Sequence, residues 1–72
     1  MEGKYKSETA AKRAAGRVEG TCVVKFSDGY DFFPLGYPIG QFVAGQFVKA
    51  TTFKVVARAY QQSNGDIVWK SS

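Results

Sequence analysis

Apolar and polar positions change rhythm four times along this chain. Ser7-Glu8-Thr9-Ala10-Ala11-Lys12-Arg13-Ala14-Ala15-Gly16 begins with a favoured N-cap residue and an acid suited to the positive end of a helix dipole. It ends on a glycine able to take the left-handed C′ position. These signals predict a short helix from Glu8 to Ala15. Its apolar positions are all alanine, and a helix of fewer than about 12 residues is marginal alone, so it has to dock or fray. Met1 to Lys6, ahead of it, reads as a flexible tail.

The next stretch reads as a β-hairpin from Gly20 to Leu35. Thr21-Cys22-Val23-Val24-Lys25-Phe26 is β-branched and aromatic, Asp28-Gly29 is a turn signal, and Tyr30-Asp31-Phe32-Phe33 returns. With Asp28-Gly29 as a two-residue loop, Lys25 opposes Phe32 and Val24 opposes Phe33. Cys22, Val24, Phe26, Phe33 and Leu35 then share the expected core face, and Val23, Lys25, Tyr30 and Phe32 the other. Pro34 has no N–H to give a ladder, so it ends the second strand or sets it at an edge.

After the turn at Gly36-Tyr37-Pro38 comes a tandem repeat, Gly40-Gln41-Phe42-Val43-Ala44 and Gly45-Gln46-Phe47-Val48-Lys49. As one strand it would send Phe42 and Phe47 to opposite faces. As a helix it gathers Ile39, Phe42, Val43, Phe47 and Ala50 near one stripe, and a helix from Ile39 to Ala50 is the favoured reading. Gly45 costs that helix about 1 kcal/mol relative to alanine. The final segment, Thr52 to Gln62 followed by Ser63-Asn64-Gly65-Asp66 and Ile67-Val68-Trp69-Lys70, is ambiguous between helix and strand. Its β-branched content and the Asn64-Gly65 turn signal favour a second hairpin. A two-residue loop there sets Tyr60 opposite Trp69 and gathers Val56, Arg58, Tyr60, Ile67 and Trp69 on one face.

Helix, hairpin, helix, hairpin amounts to one small α+β domain over residues 7–72 with a four-stranded antiparallel sheet. The alternative is a small OB- or SH3-like β-barrel. Gly20-Thr21-Cys22-Val23-Val24-Lys25-Phe26 with Gly29-Tyr30-Asp31-Phe32-Phe33-Pro34 resembles the opening of a cold-shock domain. That resemblance implies a five-stranded OB-type barrel that binds single-stranded nucleic acid through aromatics on two strands. Asp31 stands where the family carries a glycine between its aromatics, and the family's following Val-Phe-Val-His segment is missing.

Composition narrows the chemistry. There is no histidine, one cysteine and only six acids among 72 residues, so the groups used in acid–base, metal and nucleophilic catalysis are scarce. Asp28 and Asp31 are the one close carboxylate pair and are explained by the turn. Cys22 has no histidine to activate it, and its apolar neighbours predict a buried, unreactive thiol. A non-enzymatic protein without cofactor or metal is expected. Apolar runs fall far short of the ~20 residues that span a bilayer, and the N-terminus has no signal-peptide stretch, so the protein is expected to be cytoplasmic and off the membrane.

Binding is the remaining class. One tryptophan, four tyrosines and six phenylalanines are more rings than so small a core takes in, and ten Lys/Arg give a net charge of +4. A nucleic-acid surface would use Lys25 beside Tyr30 and Phe32, and Lys54 and Arg58 near Tyr60 and Trp69, with Lys12, Arg13 and Arg17 on phosphates. Against this, most rings are needed inside, lysine and arginine stems also cover apolar surface, and +4 also serves solubility. A protein partner, met by an inhibitor, adaptor or self-associating subunit, is the alternative, with Tyr37, Phe32 and Trp69 as anchors beside Arg58.

Overall fold

The computed structural model describes residues 2–72. Helix α1 spans Glu8–Ala15, followed by β1 (Cys22–Phe26), β2 (Gly29–Phe33), β3 (Gly40–Val43), β4 (Gln46–Lys49), β5 (Lys54–Gln61) and β6 (Ile67–Ser71). An antiparallel four-stranded sheet runs β2-β1-β5-β6, and β3 and β4 form a separate two-stranded hairpin. The protein is therefore α+β and mostly antiparallel sheet. The four-stranded sheet is open, since β2 and β6 do not pair with each other, so the barrel alternative finds no closure here.

Helix α1 forms as its caps dictate. The Ser7 side chain accepts the Ala10 N–H at 3.1 Å, and the Gly16 N–H donates to the Lys12 carbonyl. Ala11, fully buried, meets Val23 and Ala57 at the centre of the sheet, and Tyr5, Tyr30, Phe32, Val56 and Trp69 pack around that contact. Alanine suits this position because a methyl group lets the helix backbone come close to the strands. On the second face of the sheet Cys22, Val24 and Phe26 are buried, and the rings of Phe26 and Phe33 meet edge-to-face at 6.2 Å. Val23 and Val24 are both buried and point to opposite faces, and the neighbouring strand changes parity beside them. The change is a bulge in β5: Val23 pairs with Ala57 and Val24 with Val55, leaving Val56 as the extra residue.

The expected flexible tail lies hydrogen-bonded along β2, with Met1 outside the described residues. Gly3 N–H donates to Asp28 C=O, and Tyr5 and Tyr30 exchange N–H···O bonds of 2.9 and 2.8 Å. The tail crosses so closely that a Cβ on Gly3 would sit 2.2 Å from the Tyr30 nitrogen. The same crossing corrects the first hairpin. Its turn is Ser27-Asp28, and Lys25 pairs with Tyr30 and Val23 with Phe32, two positions from the expected register. Gly29 is needed as the opening residue of β2 beside the tail, not as a turn residue. A slip of two keeps the alternation, but the faces change roles: Val23, expected off the core face, is fully buried under α1 with Tyr30 and Phe32 packed around it, and Leu35, expected in the core, is 73% exposed.

One expectation fails outright, and another holds with a shifted register. The helix over Ile39–Ala50 is the β3–β4 hairpin, with Phe42 opposite Phe47 and Gln41 opposite Val48. The repeat folds back on itself at Ala44-Gly45, whose φ angles of 51° and 81° are those of a turn with two left-handed residues. The second hairpin exists, but with Ala59 opposite Trp69 and Tyr60 opposite Val68. Its loop is a turn centred on Ser63-Asn64, closed by Gly65 N–H to Gln62 C=O, with Gly65 left-handed behind it. Asn64 Oδ1 accepts the Asp66 N–H, which settles this longer loop over the two-residue one. The slip of one residue sends Trp69 to the helix side and leaves Tyr60 on the other face.

The arm β3–β4 makes no extended contact with α1 or the four-stranded sheet, and the molecule is drawn out to 43 × 22 × 18 Å. Among the described residues no helix is long and apolar enough to cross a membrane. Ala44 holds a left-handed conformation that costs an L-residue roughly 1–2 kcal/mol. Ala44→Asn, which makes an Asn-Gly turn, is expected to slow amide hydrogen exchange across Gln41–Val48 several-fold while leaving the exchange of β1 and β5 unchanged.

Candidate functional site

The ten side chains singled out as a nucleic-acid or partner surface fall into three groups, on both faces of the sheet. Lys12 and Arg13 occupy the last turn of α1, where the helix dipole favours cations, and Arg17 follows just beyond Gly16. With Thr9, Gly16 and Trp69 they line a shallow cleft of about 300 Å³. The Lys12 ammonium stands 5.9 Å from the centre of the Trp69 ring and forms an ion pair of 2.8 Å with Glu8. This group joins two segments that the sequence had kept apart, because the register of β6 turns Trp69 toward the helix.

Arg58, Tyr60 and Lys70 form the second group, on the opposite face. Arg58 pairs with Lys70 across β5 and β6, and the Lys70 ammonium lies 5.2 Å from the Tyr60 ring centre. Trp69 is not among them. In the third group Lys25 stands 6.0 Å from the Tyr30 ring and opposite Lys54 across β1 and β5. Phe32 is unsuited to stack a base: its ring lies against Tyr5 at 6.0 Å and 28°, half-buried under the helix. Tyr30 is likewise half-buried, and of the proposed ring platforms only Tyr60 is well exposed. A larger depression of about 450 Å³, where the tail crosses β2, carries Glu2 and Asp28 as well as Lys4 and Lys6 and so favours no one sign of ligand.

The residues that sequence reasoning missed are on the arm. Phe42 is 74% exposed, Val43 49%, Val48 44% and Phe47 41%, with Leu35, Tyr37 and Phe53 also open to solvent nearby in sequence. Phe42 and Phe47 share one face, ring edge to ring face at 5.5 Å, while Val43 and Val48 share the other. A lone two-stranded hairpin is marginal in water even with one face covered, and here both faces are bare. The sequence did hold a signal for this surface. No charged residue occurs between Asp31 and Lys49, in a chain that carries sixteen.

Cys22, the one thiol, is buried, with its Sγ 3.6 Å from the Phe33 carbonyl. Among the described residues no three His, Cys, Asp or Glu are grouped to hold a metal ion. Comparison with protein-family models, with curated proteins and with solved structures found no match. Cys22 is expected to react with a thiol reagent only as fast as the sheet opens. Its labelling rate should rise by orders of magnitude in denaturant and stay slow in buffer; rapid labelling of the folded chain would contradict its burial.

Proposed function

We propose that this chain is a small, basic, non-enzymatic binding module whose main partner is a protein, engaged by the β3–β4 arm. The observation that carries the reading is the exposure of Phe42, Val43, Phe47 and Val48 on a hairpin with no cover of its own. Burying one such side chain contributes roughly 1.5–3 kcal/mol. An exposed group of this kind costs solubility unless something covers it. Phe42 and Tyr37, the most exposed rings, are the anchors in this reading. The arm carries no charge ahead of Lys49, so its recognition rests on shape and apolar contact, with a weak dependence on salt. The buried, unpaired Cys22 supports a reducing, cytoplasmic setting.

A second reading, contact with nucleic acid, is favoured by the cleft in which Lys12, Arg13 and Arg17 surround Trp69. It is the weaker of the two. The cations are split between the two faces, and Asp31 lies on the strand that was expected to stack bases.

The readings separate cleanly by experiment. For the protein partner, capture on the immobilised chain should survive nuclease treatment, drop at least tenfold with Phe42→Lys and be unaffected by Arg13→Glu. Loss of all captured protein on nuclease treatment overturns it. For nucleic acid, oligonucleotide affinity should fall by ~0.7 log units per log salt for each phosphate contacted on a single strand. It should weaken with Arg13→Glu or Arg17→Glu, and Trp69 fluorescence should report it. An unchanged Trp69 signal at low salt removes this second reading.

A further inference from the structure

We infer that the partner of the arm is a second copy of this chain, joined antiparallel along the outer edge of β3. The inference rests on the reading that the arm is the docking surface, and it names the occupant.

Three observations lead there. The first is charge. Two copies of a chain of net charge +4 repel each other, and the stretch between Asp31 and Lys49 is where they can meet with no like charges opposed. A charged partner would gain nothing from this surface.

The second is the backbone. Ala50 N–H donates to Ile39 C=O at 2.8 Å, which fixes the alternation of the ladder. Counting in twos from that pair, Gln41 and Val43 turn their N–H and C=O groups toward β4, while Gly40 and Phe42 turn theirs outward. Among the described residues no strand pairs with that outer edge. The edge of β4 ends in Lys49, a residue type that blunts strand edges, whereas β3 has no charge at all. A lipid surface would cover the side chains but leave these backbone groups without partners in hydrocarbon. Another strand satisfies both.

The third is self-complementarity. The hairpin already pairs Gln-Phe-Val of β3 antiparallel with Gln-Phe-Val of β4, phenylalanine opposite phenylalanine. A second copy of β3 offers the same three residues. Antiparallel pairing about a two-fold axis at Phe42 repeats the match: glutamine to valine, phenylalanine to phenylalanine, valine to glutamine. Four phenylalanine rings then share one face of a four-stranded sheet, and four valines the other. Because Lys49 blunts the outer strand, the assembly closes as a dimer and does not grow. The contact is small for a stable interface, so the association belongs in the micromolar to millimolar range.

Sedimentation velocity of the full chain over rising concentration tests this. Wild type should shift from the chain mass to twice that mass. Phe42→Lys alone and Phe42→Glu alone should each remain monomeric, with unchanged Trp69 fluorescence to show that the body is folded. Mixed in equal amounts, the two variants should recover the dimer, because position 42 faces its own copy across the axis. Lys49→Ala should keep the pairing through β3 and let species larger than the dimer appear, since the outer strand is no longer blunted. A wild-type chain that stays monomeric to its solubility limit overturns self-pairing, while arm-dependent, nuclease-resistant capture of another protein would still uphold the docking reading. Dimers that form equally well with Phe42→Lys, or a mixture that stays monomeric when wild type dimerises, also overturn it.

Discussion

The body of this protein depends on the close seat of α1 on the sheet at Ala11, Val23 and Ala57. An eight-residue helix has too few backbone bonds to persist alone, and its alanine stripe offers little area. What it offers is proximity. With only methyl groups and one valine between backbones, the surrounding rings of Tyr5, Tyr30, Phe32 and Trp69 can reach the helix from all sides and form a collar. Those rings are therefore spent on holding the helix, and they stand half-buried. The bulge in β5 lies beside the same contact, where Ala57 pairs with Val23 and Val56, the extra residue, packs against the cluster.

Caps and alternation were legible in the sequence; registers were not. Ser7, Glu8 and Gly16 mark α1 to the residue, and the β-branched run at Cys22–Phe26 marks β1. The arm was obscured because its turn has alanine where asparagine or glycine would announce it, so the five-residue repeat looked like a single element. Folded at Ala44-Gly45, the repeat puts Phe42 and Phe47 side by side, which neither the single strand nor the helix does. At the other hairpin the turn signal was present but belonged to a longer loop. Asn64 bonds to Asp66, and the hairpin closes one residue away from the position that Asn64-Gly65 suggested.

That one residue explains why the candidate site was only half readable. Which residues are cationic or aromatic is plain in the chain, but which of them meet is a matter of strand parity. Trp69 joined Lys12 instead of Tyr60, and the expected single patch became two on opposite faces. The apolar arm is the reverse case. Its chemistry is visible as the uncharged interval between Asp31 and Lys49, while its exposure depends on tertiary structure, since among the described residues no other element packs extensively against it. The arm thus carries exposed apolar side chains with Lys49 as its one charge, while the remaining charges lie outside it.

The two isolated bridges by which residues 2–5 meet Asp28 and Tyr30 have a consequence of their own. A sheet can template fibre growth only where a row of backbone groups is bare. Here Gly3 and Tyr5 cover the start of the β2 margin at Asp28 and Tyr30, and the Asp31 carboxylate accepts the Phe32 N–H, which leaves β6 as the more open margin of that sheet among the described residues. An incoming strand therefore finds few free backbone groups where the tail crosses, so this corner of the sheet is closed to edge pairing by main-chain bonds and not by charge.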